Sequence, residues 1–264
     1  MLLDRTKITQ FHRDGFVAGG QVYSSEEADA LSERMFAVAE GQGEGKAENV
    51  GGWSDGTTRV IQIVNIFKAD SLFRQHLAQP LIVEAVASLM KTDTVRVWHD
   101  QVQYKPPHQG GATTWHQDHP YWPVIQPADL VSAWVALDDA TIENGCMWMI
   151  PGSHLWGAYK NGSIESDETF TPTPDLSLVP GGHLPAKVPC EVKKGHVLFH
   201  HCLTWHGSPV NRSDRGRPAI AVHYMPGHTR YVPEGKPHLV EHNISVLPGE
   251  ILRGEHFPTV LGNN

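Results

Sequence analysis

From residue 95 onward the chain is a succession of short extended runs, and their spacing limits the possible folds more than any other feature. Residues 95–104, 130–137, 146–150, 186–192, 197–203 and 217–225 are apolar stretches set apart by Gly, Pro, Asn and Asp. Glycine supplies positive φ, proline a fixed φ, and Asn and Asp close local turns, so these residues end strands. No helix-period segment separates most of these runs, which removes the crossovers that a parallel sheet needs. What remains is an antiparallel sandwich or barrel, and the jelly roll is the version that holds metals in its mouth.

The first 92 residues read differently. A short helix from residue 8, a turn at Asp14-Gly15 and a strand over 16–22 come first. Ser24 or Ser25 then caps a helix whose first turn carries Glu26, Glu27 and Asp29, with Leu31, Met35 and Val38 as its apolar stripe. The six glycines of residues 41–56 predict a mobile loop and a lid. A strand over 57–67 and two helical segments within 72–90, broken before Pro80, follow. Residues 156–185 are rich in Gly, Ser, Thr and Pro and predict an insertion over one end of the barrel, a second lid candidate. The tail after Pro226 predicts irregular packing with a short terminal helix. The chain is thus expected to be one domain over 1–264: N-terminal helices (1–92) buttressing a core (93–226), then a tail (227–264).

Within this frame, Thr114-Trp115-His116-Gln117-Asp118-His119-Pro120-Tyr121-Trp122 carries the chemistry. Side chains two apart on a strand share a face, so an imidazole and a carboxylate at 116 and 118 can meet one ion. His206 closes an apolar run just before a turn and is the candidate third ligand. Two histidines and one carboxylate form a facial triad with open positions, the arrangement suited to non-haem Fe(II) oxygenases. His99, His119, His201 and His223 read as core or rim residues, and Arg212 and Arg215 as solvated.

Composition narrows the partners. A formal charge of −8 argues against nucleic acid and disfavours a polyphosphate-bearing substrate. Cys146, Cys190 and Cys202, the only cysteines, sit in apolar runs and predict buried thiols. No apolar run reaches the length of a membrane span and no secretory leader is evident, so a soluble cytoplasmic protein, monomer or homodimer, is expected.

The chain resembles the phytanoyl-CoA dioxygenase family of Fe(II)/2-oxoglutarate oxygenases. The resemblance is carried by Asp100 to Pro107, Trp115 to Trp122, Ser132 to Leu137, Asn144-Gly145-Cys146, Pro151-Gly152-Ser153-His154, and His206-Gly207-Ser208 with Arg217 eleven residues after the histidine. It implies a mainly β protein with flanking helices around a double-stranded β-helix. It also implies Fe(II) held by His116, Asp118 and His206, with 2-oxoglutarate and O2 as co-substrates of a small-molecule hydroxylation. Halogenating relatives carry a small residue at the carboxylate position, so Asp118 points to hydroxylation or a related oxidation. The far carboxylate of 2-oxoglutarate needs a fixed cation, and Arg217 opens a strand on which it shares a face with Ala219 and Ala221. The resemblance adds Ser208, Gln101, Lys105 and Trp134 as further co-substrate contacts. Tyr121 and Trp122 follow the ligand segment and are candidates for the substrate wall. Two other readings stand beside this one: a cupin-like metalloenzyme that does not use 2-oxoglutarate, and a jelly-roll binding module with a structural metal.

Overall fold

The structure, a computed structural model, describes residues 2–54, 59–159, 163–234 and 236–262. Two antiparallel sheets make the body. The larger runs from edge to edge as Phe16–Gln21, His196–His201, Val131–Ala136, Arg217–Pro226, Val95–Lys105, Arg59–Val64 and Asn49–Ser54, with Thr259–Leu261 added against Val95–Lys105. The smaller runs as Val188–Cys190, Met147–Met149, His206–Ser208, Thr113–His116 and Ser163–Ile164. Trp134, Ala136, Leu198, Ala219 and Ala221 of the larger sheet pack against Met147, Met149 and Cys190 of the smaller. This is the double-stranded β-helix, and all three cysteines are buried free thiols within it.

Helices cover the outer face of the larger sheet. Over Ser25–Ala39 (α2), Ser24 is the cap: its hydroxyl accepts from Glu27 N while the Glu27 carboxylate accepts from Ser24 N. Pro80 starts Pro80–Met90 (α4), where a missing N–H costs nothing, and Ile82, Val83, Val86 and Leu89 enter the core. Each such side chain contributes roughly 1.5–3 kcal/mol by leaving water. Arg5–Asp14 (α1) ends on Gly15 at φ 84°, as the Asp14-Gly15 turn predicts. A Cβ at Gly15 would meet Thr204 Oγ1 at 2.5 Å. The bare backbone instead offers its carbonyl to Thr204 Oγ1 at 2.8 Å and to His201 N at 2.8 Å, pinning the segment that leads into His206.

Three expectations need correction. Residues 49–54 form an edge strand rather than a mobile loop: their backbone groups pair with Arg59–Val64, and a ladder needs no side chains at glycine. Residues 41–48 of that loop form no helix or strand, and Asp55 and Gly56 lie outside the described residues. The 1–92 segment therefore supplies three strands of the larger sheet as well as helices. The tail ends in a strand, Thr259–Leu261, and its only helical turn is the 3-10 stretch Glu241–Asn243 among the described residues.

The Val95–Lys105 strand turns opposite faces to the two sides. Asp100 points to the helical side, fully buried, with Phe67 N donating to its Oδ2 at 3.3 Å and no partner for Oδ1 among the described residues. Burial pushes this carboxyl up to about 8, partly offset by backbone N–H groups of Phe67, Asp100 and Ile66. A carboxyl whose folded pKa lies above its unfolded value stabilises the fold below the unfolded value, and that stability is lost as pH rises from about 4 to about 8. Asp100→Asn is therefore expected to raise Tm at pH 8 by several degrees relative to the parent and to change it little at pH 4. Equal Tm differences at both pH values in thermal melts would contradict this.

Candidate active site

His116 closes the Thr113–His116 strand, His206 opens His206–Ser208, and the two pair directly across the smaller sheet with rings 4.1 Å apart. Each Nδ1 lies against the carbonyl two residues earlier, Thr114 O at 2.8 Å and Thr204 O at 2.9 Å. A carbonyl only accepts, so Nδ1 carries the proton and each Nε2 keeps its lone pair. Asp118 Oδ1 lies 3.6 Å from one Nε2 and 3.5 Å from the other. Three acceptors thus converge with no donor between them, and a cation is the species that such a set lacks. Among the described residues this trio is the one cluster with metal-binding geometry, and it has no fourth protein ligand. A structural site would be closed; this one leaves positions open.

Asp118 does not reach the site by strand alternation. The strand ends at His116, and Asp118 has helical φ −69° and ψ −49° ahead of the 3-10 turn His119–Tyr121. The turn brings its carboxylate back beside His116. Its second oxygen accepts from His200 Nε2 at 3.0 Å and Ser132 Oγ at 3.1 Å, and Ser132 Oγ in turn accepts from His223 Nδ1 at 2.7 Å. Burial works against the charge on Asp118, and the hydrogen bond from His200 opposes it, so its carboxyl lies well below the usual range. Burial likewise holds His206 well below its ordinary value, in the neutral form that binds metals.

Sheet register explains how these partners meet. His99, His223, Ser132 and His200 form one line across four strands, and Gln101, Ala221, Trp134 and Leu198 form the next. Ser132 and His200 escaped sequence reasoning because the partners come from separate strands. The available signal was parity: Ser132 lies two residues before Trp134, and His223 lies six after Arg217. Outer partners of a ligand are worth about 10–100-fold in metal affinity. Ser132→Ala is expected to weaken Fe(II) binding by that factor, read by anaerobic equilibrium dialysis, with the far-ultraviolet circular dichroism unchanged.

Arg217 and Lys105 stand opposite each other at the far end of the same inner face, both fully buried. Arg217 donates to Gly145 O at 2.6 Å, so the Asn144-Gly145 turn does more than shape the sheet. The Arg217 guanidinium lies 5.4 Å from the Trp134 ring centroid, and Arg217 Nε and Trp134 Nε1 have no partner among the described residues. Both are pure donors, so an anion would satisfy them. Burial pulls Arg217 down to about 10, still charged at neutral pH. Lys105 Nζ donates to the carbonyls of Ser208 and Pro209 at 3.1 and 2.8 Å, a clamp on the turn after His206.

Two spaces meet at the triad. A void of about 30 Å³ is lined by Trp134, Met147, Ser208 and His200 together with the three ligand candidates. A cavity of about 590 Å³ opens on its other side, lined by Gln62, His99, Tyr121, Trp122, His238 and Leu239 among others. Gln101 and Gln103 border both spaces. Tyr121 and Trp122 line this larger cavity beside the triad, Tyr121 half exposed and Trp122 buried. His238 and Leu239 come from the tail, which carried no motif. The 156–185 insertion covers the outer face of the smaller sheet and encloses a separate apolar cavity of about 510 Å³ between Ile150, Trp156, Ile164, Leu184 and Trp205.

An open His-Asp-His triad within a double-stranded β-helix, with buried donors beyond it, is a site that can hold a metal ion and leave positions free on it. Residues 11–219 match the family described as phytanoyl-CoA dioxygenase, and the chain belongs to that family. It is 32% identical over 156 residues to the mouse phytanoyl-CoA dioxygenase domain-containing protein 1, a match spanning 59% of this chain and 53% of that protein. The chain thus spans about half the length of this curated relative. Among solved structures it is similar to the non-heme alpha ketoglutarate dependent carbocyclase SnoK from nogalamycin biosynthesis, with TM-score 0.80, 27% identity and coverage of 97% and 96% of the two chains. The epimerase SnoN, solved in complex with Fe3+, alpha ketoglutarate and nogalamycin RO, shares the fold at TM-score 0.73 and 22% identity, covering 97% of each chain. No helix among the described residues is long and apolar enough to cross a membrane.

Proposed function

We propose that this chain is an Fe(II)- and 2-oxoglutarate-dependent dioxygenase that hydroxylates a C–H bond of a small molecule, with 2-oxoglutarate converted to succinate and CO2. The observation that carries the reading is the pairing of three converging acceptors with two buried donors that lack a partner, Arg217 Nε and Trp134 Nε1. Family membership supports it, as do the Fe3+ and alpha ketoglutarate in the SnoN complex.

In this reading His116, Asp118 and His206 hold the iron, and Arg217 with Trp134 and Ser208 holds the distal carboxylate of 2-oxoglutarate. Bound iron with its keto acid supplies the activation of O2 and the oxidation of the substrate C–H bond. The protein supplies position. His200 and Ser132 hold one oxygen of Asp118, so the other faces the metal at a fixed angle. Gln101 and Gln103 lie between the co-substrate side and the substrate side, and Trp122 with Leu239 gives the substrate side an apolar surface.

The test is an anaerobic titration of the metal-free protein with Fe(II) and then 2-oxoglutarate, followed by visible absorption. A charge-transfer band of a chelated keto acid is expected only when both are present. Tight Fe(II) binding with no band would remove 2-oxoglutarate from the reading and favour a cupin-like metalloenzyme.

A further inference from the structure

We propose that the substrate is an uncharged molecule carrying a ring system and a hydroxyl group, with the ring against Trp122 and the hydroxyl donating to the buried Nε2 of His99. The inference rests on the reading above and deepens it by naming the class of molecule that the 590 Å³ cavity takes.

Charge comes first. Among the described lining residues the ionisable groups are His99, His116, Asp118, Tyr121 and His238. His116 and Asp118 belong to the triad. Burial holds His99 well below its ordinary value and pulls His238 down to about 4, so both are neutral at physiological pH. The two buried cations, Lys105 and Arg217, lie at the far end of the inner face and do not line the cavity. Three more, Arg96, Arg230 and Arg253, line a different groove that shares no residue with it. A carboxylate or phosphate entering the cavity would lose its hydration and find no counter-charge among the described residues. An ammonium would find only Asp118, whose oxygens already face the triad, Ser132 and His200.

Hydrogen bonding comes second. His99 Nδ1 lies 3.5 Å from Asp100 O, which places the proton on Nδ1 and leaves Nε2 as an acceptor. His223 Nδ1 donates to Ser132, so its Nε2 is an acceptor as well. Both Nε2 atoms are buried without a partner among the described residues, and the two rings lie 4.5 Å apart. Two adjacent acceptors call for a donor. A neutral hydroxyl supplies one; a carbonyl, ether or plain acyl chain does not.

Shape comes third. Trp122 packs edge-on to His99 at 5.5 Å and to His223 at 4.7 Å, so one aromatic wall stands beside both acceptors. Gln62, Gln103, Thr113 and Thr114 add neutral donors and acceptors around the rest of the space. The volume lies within the ~300–1,000 Å³ range that takes drug-sized ligands. A lining that sets Trp122, Tyr121, Val64 and Leu239 among these neutral polar groups suits a hydroxylated ring.

The experiment uses the protein loaded anaerobically with Fe(II) and 2-oxoglutarate and four probes: 2-naphthyl β-D-glucoside, 2-naphthyl β-D-glucuronide, 2-naphthylmethylamine and octanoyl-CoA. The charge-transfer band is recorded first, and its absence sinks both the underlying reading and this inference. With the band present, calorimetry is expected to find the glucoside bound at least about tenfold more tightly than the glucuronide, the amine or octanoyl-CoA. His99→Phe, which keeps a flat ring and removes the acceptor, is expected to weaken the glucoside about tenfold while the band stays unchanged. The comparison among probes in the parent protein stands whether or not that variant folds. Equal or tighter binding of any charged probe, no binding of the glucoside, or full glucoside affinity in a folded His99→Phe protein would overturn the inference.

Discussion

Asp118→Ala is expected to leave a folded protein that binds Fe(II) more than about 100-fold more weakly, beyond the range for outer partners of a ligand. The carboxylate is the sole anion of the triad, and its two oxygens serve different neighbours. Oδ1 faces His116 and His206, while Oδ2 receives His200 and Ser132. Removing it takes away a ligand and also leaves two buried donors without an acceptor, a cost of about 1–3 kcal/mol each. The metal-free variant should therefore also melt at a lower temperature than the metal-free parent. Asp118→Asn separates the two effects, because its carbonyl oxygen can still accept from His200 and Ser132: stability should recover more than affinity. Anaerobic equilibrium dialysis and thermal melts of both variants make the comparison. Undiminished Fe(II) binding by Asp118→Ala would remove Asp118 from the ligand set.

The second large effect is expected at Arg217. Arg217→Met keeps volume and burial but removes the permanent charge, and 2-oxoglutarate affinity should fall by two to three orders of magnitude. That is the roughly 3–5 kcal/mol lost when one partner of a buried ion pair is removed. Fe(II) affinity should change little, because Arg217 touches none of the three ligand candidates and lies against Trp134 and the Gly145 carbonyl instead. Trp134→Phe removes one neutral donor from the same anion and should cost only about tenfold. The contrast between the two variants, read from the charge-transfer band, distinguishes loss of the anchor from general damage to the pocket. Normal 2-oxoglutarate affinity in Arg217→Met would assign the anchor elsewhere, with Lys105 the next cation to test.

Much of this arrangement is legible in the sequence, because it depends on local rules. Period-two alternation puts Arg217, Ala219 and Ala221 on one face, and the pairing with Lys105, Gln103 and Gln101 bears that out. The Ser24 cap and the Pro80 break follow from single residues with strong backbone preferences. Other parts depend on distant pairings and leave little local trace. The 49–54 strand is a glycine-rich edge, paired on one side, whose side chains give no pattern. Asp118 meets His116 through a 3-10 turn rather than through the extended strand that the spacing of the pair suggests. Ser132, His200 and His238 matter because three distant segments converge, which sequence spacing does not encode.

The two walls of the cavity are built differently. Val95–Lys105 is a central strand, paired along its length with Arg217–Pro226 and, on its other edge, with Thr259–Leu261 at one end and Arg59–Val64 at the other. The wall bearing His238 and Leu239 belongs to a tail that Thr259–Leu261 joins to the larger sheet, that Arg230–Tyr231 joins to Ile125–Gln126, and that packs on Trp98 through the rings of His238 and Phe257. Replacing a residue on the strand, or His238, disturbs a core, whereas Leu239 is half exposed at the rim of the cavity. Divergence within such a scaffold has an unequal choice of sites. A lineage can exchange one substrate for another at exposed rim positions such as Leu239, while the barrel, its metal centre and its folding remain as they were.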